Sequence, residues 1–398
     1  MPVTASPAPM RAALTVEQLW QPVPGGSGTY IRALAAALLE TGTVEVTGIA
    51  AHGPHAGAAS LLPSVPVVAS ALPRRALYES WSRLRSPSVP RTPEMRRTGA
   101  RYDVVHATTW AVPPRTAPLV VTVHDLAFER NPEHFTPRGV SFFRRALEVT
   151  RREADIVVVP SEATRTDCVD AGIDPDRLRV IPHGTAPVVL DPGGAEQFRR
   201  RHGLRREFVL WCGTLEPRKN LGGLLEAFAR LLESGSDLDL VIVGPAGWGS
   251  TTAQVREHAE RLAADRVHVL GRLDDDELQE AYAAARVFCF PSLWEGFGMP
   301  VLEAMNHGTP VVTSTGTSMA EVAGEGALLV DPTDAAELAG ALDRAAGPLH
   351  DALSHGARAA AARWTWQRSA ALHLEAYREA VEIAPGRRLG RIRPGRPA

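Results

Sequence analysis

Short runs of β-branched residues alternate with stretches rich in alanine and leucine along the whole of this 398-residue chain. This alternation is typical of parallel sheets, because each crossover between neighbouring parallel strands needs a helix-sized segment. The chain is too long for one comfortable hydrophobic core and fits two domains. We therefore expect an α/β protein with two doubly wound Rossmann-like domains, whose ligands bind at the carboxyl ends of the strands.

The predicted elements form two sets, separated by a stretch rich in proline and glycine from Ile181 to about Gly194. The first set has strands Ala12–Val16, Val44–Ala50, Asp103–Val105, Leu119–Val123, Ile156–Val159 and Leu178–Ile181, and helices Thr29–Glu40 and Val140–Ala154. The second set has strands Phe208–Trp211, Leu238–Val243, Val267–Leu270, Val287–Phe290, Val311–Thr313 and Ala327–Val330, and helices Leu221–Leu232, Ala253–Leu262, Glu277–Ala283, Pro300–Asn306 and Ala335–Ala345. A last helix is expected around Trp364–Val381.

Composition and charge narrow the class of protein. A net charge of −2 argues against bulk nucleic-acid binding. Three scattered cysteines, Cys168, Cys212 and Cys289, fit buried thiols in a reducing compartment and show neither disulfide nor zinc spacing. No apolar run reaches the roughly 18 residues that a membrane-spanning helix needs, and the N-terminus lacks a signal-peptide pattern. We therefore expect a cytoplasmic protein.

The most informative motif joins an apolar strand, Ala285–Phe290, to a helix that begins at Pro300 and ends before Gly308. The backbone N–H groups and the dipole at such a helix start attract a phosphate. Glu295 lies in the turn and Glu303 one turn into the helix, and Glu303 should reach back over the same spot. Because carboxylates repel phosphate, hydroxyl groups are their expected partners. A diphosphate flanked by sugar hydroxyls is a nucleotide sugar.

A second signal is the lysine content. Of 43 cationic side chains only Lys219 is a lysine, and it follows the predicted strand Phe208–Trp211 in a strand-to-helix loop. An ammonium group is a compact charge with rotatable donors, which suits a diphosphate whose negative charge grows as the bond to it breaks. Because the chain is strongly biased toward arginine, the existence of one lysine says little. Its position in a strand-to-helix loop is the informative observation.

The run EGFGMPVLEAM from Glu295 to Met305 resembles the two-glutamate motif of glycosyltransferase family 4. The resemblance implies a GT-B fold, with two facing Rossmann-like domains and an interdomain cleft, and a retaining transfer reaction. It also implies that Glu303 binds the donor's ribose hydroxyls and that Glu295 lies near the transferred sugar. The backbone between them, which is Gly296, Phe297, Gly298 and Met299, would hold the diphosphate.

The loop Gly213–Asn220, with the sequence GTLEPRKN, resembles the family's phosphate-binding loop. Lys219 falls on the family's lysine position, whereas Thr214 stands where an arginine is usual. Arg218 beside the lysine is similar to a mannosyltransferase-like branch, which implies that Arg218 and Lys219 neutralise the departing diphosphate. The alternative is that Arg218 faces solvent.

Two features of the first half match the same family. Gly25–Tyr30 lies between the first predicted strand and helix and resembles the family's glycine loop, so Gly26 would face the donor phosphate. On its own this stretch could equally be an ordinary tight turn. His124, in VTVHDLAF after Leu119–Val123, resembles the histidine that contacts the transferred sugar, with a positional and electrostatic role. Asp125 is a weaker candidate for the acceptor side.

Three further residues follow predicted strands of the second half. By the resemblance, Gly244 borders the donor, and Arg272 and Leu273 belong to the segment that meets the nucleobase. Two acidic runs, Asp237–Asp239 and Asp274–Glu277, lie at a strand entry and a helix start, so we expect neither to bind a metal. No metal and no other cofactor is expected, and the nucleotide sugar is a substrate.

The resemblance assigns 10–190 to the acceptor side and 191–365 to nucleotide-sugar binding, with the helix 366–384 returning to the first domain. Residues 1–9 are expected to be a loose leader and 385–398 a disordered basic tail. Eight arginines between Leu72 and Arg101, with Leu77, Trp81 and Leu84 on one helical face, suggest peripheral contact with an anionic membrane at its inner face. An ordinary surface helix docked on the sheet is an equal alternative.

The function expected from these features is the transfer of a hexose from a nucleotide-diphosphate sugar to a hydroxyl of a lipid-linked or glycan acceptor. Mannose from GDP-mannose is favoured. A soluble small metabolite is an alternative acceptor. Two other classes remain open. One is a phosphorylase with pyridoxal phosphate on a lysine, although such chains are far longer, and the other is a non-catalytic sugar-nucleotide-binding scaffold.

Overall fold

A computed structural model describes residues 8–53, 55, 58–186, 191–245 and 265–384. These residues form two compact units. The first contains the described residues up to Pro160, Thr164–Pro182 and the chain from Trp366 onward. The second contains Ser161–Ala163 and the described part of His183–Thr365. Each unit is built around one parallel sheet, as the alternating sequence pattern predicts.

The sheet of the first unit has seven strands in the order β3-β2-β1-β4-β5-β6-β7. Its strands are β1 Met10–Thr15, β2 Val44–His52, β3 Val67–Pro73, β4 Val104–Ala107, β5 Leu119–Thr122, β6 Ile156–Val159 and β7 Leu178–Val180. The four residues of β4, of β5 and of β6 are all buried, which is expected of strands covered on both faces by helices.

Helices in and beside this unit are α1 Gly25–Glu40, α2 Ala58–Leu61, α3 Arg74–Arg83, α4 Pro93–Thr98, α5 Ala127–Arg130, α6 Pro137–Glu153 and α7 Glu162–Asp170. The chain's last described helix packs on α1 and on β4, β5 and β6 of this unit. Thr136 caps α6 by accepting a hydrogen bond from the backbone of Gly139, with Pro137 at the first helical position.

The sheet of the second unit has six described strands in the order β10-β9-β8-β11-β12-β13. They are β8 Phe208–Cys212, β9 Asp239–Val243, β10 Val267–Gly271, β11 Val287–Phe290, β12 Val311–Ser314 and β13 Ala327–Val330. The described helices from Gly194 on are α8 Gly194–Arg201, α9 Leu221–Glu233, α10 Asp275–Ala284, α11 Met299–Asn306, α12 Ser318–Ala323, α13 Ala335–Ala346, α14 His350–Ala361 and α15 Trp366–Ile383. The last of these, α15, belongs to the first unit.

Every strand predicted from the sequence is present, and no strand boundary differs by more than two residues. One strand was not predicted: β3, which is the edge strand and is buried at only one of its seven positions. The helices α2, α4, α5, α7, α8, α12 and α14 were also not predicted, and the predicted helix Ala253–Leu262 lies outside the described residues. Among the described residues, no helix combines the length and the apolar character needed to span a bilayer.

The proposed membrane-binding face of α3 is wrong. Leu77 and Trp81 are 1% and 2% exposed and belong to the core of the first unit, and the indole N–H of Trp81 donates to the carbonyl of Pro87 at 2.9 Å. Only Leu84, just past the helix, is exposed, at 74%. The apolar face of α3 therefore docks on its own domain, which is the alternative that the sequence left open.

Candidate active site

The candidate residues are distributed over both units. Gly26, His124 and Asp125 belong to the first unit, and all the others belong to the second. In the second unit, two loops follow the carboxyl ends of neighbouring strands β8 and β11. Such loops meet at one edge of a parallel sheet, which is where α/β proteins place their ligands. The sequence order of strand, turn and helix therefore brings Lys219 and Glu295, 76 positions apart in the chain, into contact.

The Glu295 carboxylate is held by three side chains. Lys219 Nζ donates to Oε1 at 2.5 Å, Ser292 Oγ donates to the same oxygen at 2.6 Å, and Arg218 Nη1 lies 2.8 Å from Oε2. Only 8% of Glu295 is exposed. Lys219 is also buried, and its ammonium lies 4.9 Å from the centroid of the Phe290 ring. The carboxylate and both cations are thus fixed in one small cluster.

The electrostatics of this cluster favour an ionised Glu295. Burial alone would raise the pKa of Glu295, but the charges of Arg218 and Lys219 outweigh it and hold the pKa at about 2. Burial lowers the pKa of Lys219, while the Glu295 carboxylate opposes that change. A buried carboxylate and ammonium are tolerated only when they are paired and hydrogen-bonded, as here. Each partner therefore needs the other, or an anion in its place.

Arg218 does not face solvent. Its Nε donates to Glu216 Oε2 at 3.1 Å, and Nη1 donates to the carbonyl of Trp294 at 3.2 Å in addition to its contact with Glu295. The four charges of Glu216, Arg218, Lys219 and Glu295 cancel. An anionic ligand therefore gains net attraction from the two cations only if it displaces a carboxylate from them.

The turn between Glu295 and α11 is shaped by Gly298. This residue has φ of 95° and precedes Met299, the first residue of α11. A Cβ at Gly298 would lie 2.7 Å from Cγ of Met319, so only glycine fits both the backbone and the space. Ser318 Oγ donates to the carbonyl of Glu295 at 2.6 Å, and Ser161 Oγ donates to the carbonyl of Gly296 at 2.7 Å. Phe297 is buried. The turn is thereby held rigid at a helix start.

Glu303 lies on α11 and has a different partner from Glu295. The Tyr282 hydroxyl of α10 donates to Glu303 Oε2 at 2.9 Å. Burial raises the pKa of Glu303 to about 7, an effect that the Tyr282 hydrogen bond opposes and the charge of Asp275 reinforces. The two carboxylates of the motif therefore have separate sets of hydrogen-bond partners.

The remaining candidates of the second unit follow strand ends, as expected. Gly244 directly follows β9, with φ of 142°, and a Cβ there would lie 1.9 Å from the carbonyl oxygen of Gly213. The backbones of the β8 and β9 loops can approach this closely only because this position is glycine. Thr214 lies in the β8 loop, and Arg272 and Leu273 follow β10, with Arg272 exposed.

In the first unit, the glycine stretch is not a loop before the helix. The helix α1 begins at Gly25 rather than at Thr29, so Gly26 is an exposed residue of its first turn. Glycine is unfavourable in helix interiors, which makes a helix start at these glycines hard to predict from the sequence. The backbone N–H groups in the first turn of a helix have no intrahelical acceptor. Gly26 therefore still lies at a helix N-terminus whose N–H groups are not used within the helix.

His124 follows β5 and is oriented by two contacts. Its Nε2 lies 3.0 Å from the carbonyl oxygen of Thr108, which can only accept, so Nε2 carries the proton in the neutral ring. The Tyr30 ring meets the imidazole edge-on, with centroids 4.9 Å apart. Burial lowers the pKa of His124, although the Thr108 carbonyl and Asp125 oppose this shift. The imidazole is therefore held in one tautomer and is largely neutral at neutral pH.

The last helix, α15, is joined to α1 and the sheet of the first unit by buried hydrogen bonds. His373 Nδ1 lies 2.7 Å from the carbonyl oxygen of Ser369, so Nδ1 carries the proton. Burial lowers the pKa of His373 to about 4, and its neutral Nε2 therefore accepts from the Tyr30 hydroxyl at 2.8 Å. The same tyrosine that borders His124 is thus bonded to the C-terminal helix.

The hydrogen bond from Tyr30 to His373 fixes the direction of the other hydrogen bonds in this group. Because the Tyr30 proton goes to His373, Thr122 Oγ1 must donate to the Tyr30 oxygen, at 2.8 Å. His106 Nε2 then donates to Thr122 at 2.7 Å, and the Tyr377 hydroxyl donates to His106 Nδ1 at 2.8 Å. The chain of bonds begins and ends on α15, and each participating group has a defined role as donor or acceptor.

The site residues that sequence reasoning missed are Ser292, Glu216 and Tyr282. Ser292 lies three positions before Glu295 in the same turn, so a search for hydroxyls near the motif would find it. Glu216 lies within the GTLEPRKN loop, two positions before Arg218. Tyr282 lies on a different helix, and its contact with Glu303 depends on how α10 and α11 pack. No local pattern could reveal that pair.

The acidic runs have structural partners. Asp239 lies 2.9 Å from Arg266 Nε and 3.1 Å from His268 Nε2. Asp274 caps α10, because its Oδ1 accepts from the backbone N–H of Glu277 at 2.8 Å. Both placements agree with the sequence argument that these carboxylates serve a strand entry and a helix start.

Comparison with known families and proteins gives consistent matches across the chain. Residues 24–189 match the family described as Glycosyltransferase Family 4, and residues 195–347 match the one described as Glycosyl transferases group 1. A D-inositol 3-phosphate glycosyltransferase of Acidothermus cellulolyticus is 35% identical over 321 residues, which is 74% of this chain and 70% of that protein.

Two further proteins extend the comparison. The O-antigen chain mannosyltransferase B of Escherichia coli is 32% identical over 237 residues, which is 58% of this chain and 62% of that protein, so the match spans less than two thirds of it. The crystal structure of Anabaena Alr3699/HepE in complex with UDP-glucose superposes with a TM-score of 0.70 at 21% identity. That superposition covers 95% of this chain and all of the other, and it shows a shared fold.

Proposed function

Because this chain belongs to glycosyltransferase family 4 and has the GT-B fold, we propose that it transfers a hexose from a nucleotide-diphosphate sugar to a hydroxyl acceptor, with retention at the anomeric carbon. The observation that carries the proposal is the cluster of Lys219, Arg218 and Glu295 beside the start of α11. Two cations and a helix N-terminus suit a diphosphate, and a carboxylate suits sugar hydroxyls.

Lys219 and Arg218 would stabilise the departing diphosphate by an exchange of ion partners. Without a ligand, both cations are neutralised by Glu295 and Glu216. A bound diphosphate supplies charge-assisted acceptors of its own, so Lys219 can transfer from Glu295 to a phosphate oxygen. The Glu295 carboxylate then becomes available to accept from the hydroxyls of the sugar. This exchange keeps the buried charges paired before and after binding.

The backbone of the turn completes the diphosphate site. Gly296, Phe297, Gly298 and Met299 lead into α11, whose N–H groups and dipole favour an anion. Their rigidity, which the Ser318 and Ser161 hydrogen bonds supply, means that little reorganisation is needed when the diphosphate charge develops. Thr214, in place of an arginine, would add a hydroxyl donor rather than a charge.

The other candidates receive the roles that the family resemblance implies. Glu303 would bind the ribose hydroxyls, with Gly244, Arg272 and Leu273 bordering the nucleoside. In the first unit, Gly26 at the start of α1 would meet the donor phosphate. His124, held in one tautomer, would position the transferred sugar by a hydrogen bond and would not need to act as a general acid, because cations stabilise the leaving diphosphate.

Mannose from GDP-mannose is the favoured donor, and a lipid-linked or glycan hydroxyl is the favoured acceptor. The GTLEPRKN form of the β8 loop and a relative named as an O-antigen chain mannosyltransferase support this choice. Contact with an anionic membrane would then rest on the arginines of the first unit, since the apolar face of α3 is buried. We expect no metal requirement, because Lys219, Arg218 and the helix start provide the positive charge.

A second candidate is transfer to a soluble acceptor. It is favoured by the relative named as a D-inositol 3-phosphate glycosyltransferase, which matches a larger share of this chain. That name includes no lipid. Both candidates use the same donor machinery and differ only in the acceptor.

The donor is tested with a panel of GDP-mannose, UDP-glucose and UDP-N-acetylglucosamine. Thermal unfolding of the purified chain is recorded with each compound, with and without EDTA, because a ligand that binds the folded state raises Tm. GDP-mannose is expected to give the largest shift, unaffected by EDTA. A chain that none of the three stabilises would contradict donor binding, and a larger shift with a UDP-sugar would overturn the mannose assignment.

A further inference from the structure

Tyr282 lies at the centre of a packed group next to the candidate ribose-binding carboxylate. Its side chain is completely buried, its ring meets Phe288 edge-on with centroids 5.4 Å apart, and it stacks on His307 with centroids 6.1 Å apart. Its main-chain carbonyl accepts from Thr309 Oγ1 at 2.7 Å. The ring is therefore fixed, and the direction of its hydroxyl is fixed with it.

The hydroxyl of this tyrosine is not needed for packing. A phenylalanine would fill the same space, and a buried hydroxyl costs free energy unless it has a hydrogen-bond partner. It donates to Glu303 Oε2 at 2.9 Å and also contacts the Cys212 thiol, and among the described residues Tyr282 is the one hydrogen-bond donor to that carboxylate. The pair therefore joins a rigid ring on α10 to a flexible three-bond side chain on α11.

We propose that Tyr282 is a positioning residue, which holds one oxygen of Glu303 so that the other is directed at the donor's ribose hydroxyls. The inference rests on the ribose role proposed above for Glu303. A glutamate side chain that is already fixed loses less conformational entropy when the donor binds, so the affinity for the nucleotide gains from the tyrosine without any contact between them.

The tyrosine also controls how readily Glu303 ionises. Burial and the charge of Asp275 raise the pKa of Glu303, and the Tyr282 hydrogen bond lowers it, with a result of about 7. The Cys212 thiol and the His307 imidazole, which contact Tyr282, are both neutral at this pH. Burial raises the pKa of Cys212 to about 12 and lowers the pKa of His307 to about 4, with the charge of Arg358 also lowering the latter.

The pH dependence of binding follows from these directions. Vicinal hydroxyls donate to an ionised carboxylate more strongly than to a neutral one, so nucleotide affinity should rise with pH through about 7. Replacing Tyr282 by phenylalanine removes a donor that favours the ionised form. The pKa of Glu303 then rises, and the midpoint of the affinity profile moves to higher pH. If the substitution only disturbed the packing around Glu303, binding would be weaker by the same factor at every pH.

The test is calorimetric titration of the nucleoside diphosphate of the best donor, from pH 6 to pH 9.5, into four full-length proteins: wild type, Tyr282→Phe, Glu303→Gln and Tyr102→Phe. Tyr102 serves as the matched control, since it also has a buried ring and donates to a carbonyl, that of Pro90, but lies in the other unit. We expect Tyr282→Phe to weaken binding about tenfold at pH 7 and to recover part of that loss at pH 9.5.

The outcomes separate this inference from the function on which it rests. If Glu303→Gln binds as tightly as wild type, the ribose role fails. Two results overturn the positioning role alone, provided that Glu303→Gln binds weakly and without pH dependence. In the first, Tyr282→Phe binds as tightly as wild type. In the second, Tyr282→Phe binds more weakly than wild type by the same factor at every pH. Should Tyr282→Phe fold poorly, the wild-type profile decides, because an affinity that does not change between pH 6 and pH 9.5 also overturns the inference.

Discussion

Lys219 is the one buried lysine or arginine among the residues that the structure describes. The ammonium is buried, lies over the Phe290 ring and reaches Glu295 at 2.5 Å, whereas the described arginines lie at exposed or partly exposed positions. A guanidinium is larger, planar and less able to act as a point charge. We therefore expect that this position requires lysine rather than arginine.

Lys219→Arg is predicted to lower kcat by roughly a hundredfold while the protein stays folded, similar to the loss of one preorganised donor. The matched control is Arg230→Lys, since Arg230 is an exposed cation on α9 that pairs with Glu226. Turnover is measured as release of the nucleoside diphosphate. Near-normal turnover of Lys219→Arg would mean that the lysine is only a remnant of codon bias.

Glu295→Gln should separate binding from turnover. The glutamine keeps the shape but removes the charge that competes with a diphosphate for Lys219 and Arg218. We expect the nucleoside diphosphate to bind up to about tenfold more tightly, while turnover falls by about two orders of magnitude for lack of the sugar contact. Calorimetry and initial rates measure the two quantities. Weaker binding by the glutamine variant would disprove the proposed exchange of ion partners.

At the scale of elements, burial decides what the amphipathic segments do. The helix α3 combines arginines with apolar residues at helical spacing, a pattern that fits a membrane surface and a docked helix equally well. The sequence cannot separate the two, because both bury the same face. The structure places Leu77 and Trp81 in the core of the first unit.

Trp81→Ala is accordingly predicted to cost about 3–5 kcal/mol in the free energy of unfolding, because it opens a cavity and removes the hydrogen bond to Pro87. The control is Leu84→Ala, which removes an exposed side chain and should stay within about 0.5 kcal/mol of wild type. Urea denaturation gives both values. A membrane-facing Trp81 would show the opposite pattern, with little change in stability.

The helix α15 is predicted to depend on its buried polar bonds. Tyr377→Phe removes the donor to His106 Nδ1 and leaves that nitrogen buried without a partner, at a cost of about 1–3 kcal/mol. Glu375→Gln, at an exposed position of the same helix, is the control and should change stability little. Hydrogen exchange of the α15 amides is the measurement. Equal protection in Tyr377→Phe and wild type would show that apolar packing alone holds the helix.

At the scale of the whole molecule, the strands were predictable and the contacts between elements were not. Strands such as β6, with the sequence IVVV, are continuous β-branched runs that little else can explain. The edge strand β3 and the short helix α12 lack such patterns and form because neighbouring elements complete them. The helix α1 begins at Gly25 rather than at the predicted Thr29, because glycine is tolerated in the first turn of a helix although it is unfavourable in the interior.

In the candidate site, too, some residues could be predicted from the sequence and their partners could not. The motif residues Lys219, Glu295 and Glu303 could be named from the sequence, since their chemistry and their order along the chain suggest a phosphate site. Their partners could not, because the pairing of Arg218 with Glu216 and of Tyr282 with Glu303 depends on side-chain directions. The contact of Arg218 with Glu295 and the hydrogen bond from Tyr282 to Glu303 each lower the pKa of the carboxylate concerned, and hence affect how the site would respond to a ligand.

The central claim is that the Lys219 cluster holds the diphosphate of a nucleotide sugar. The most direct measurement is a calorimetric titration of a nucleoside diphosphate and of its parent nucleoside into the wild-type protein. The diphosphate is predicted to bind at least tenfold more tightly, since each charge-assisted hydrogen bond contributes about 1.5–3 kcal/mol. Equal affinity for both compounds, or binding of neither across guanine and uracil, would contradict the account.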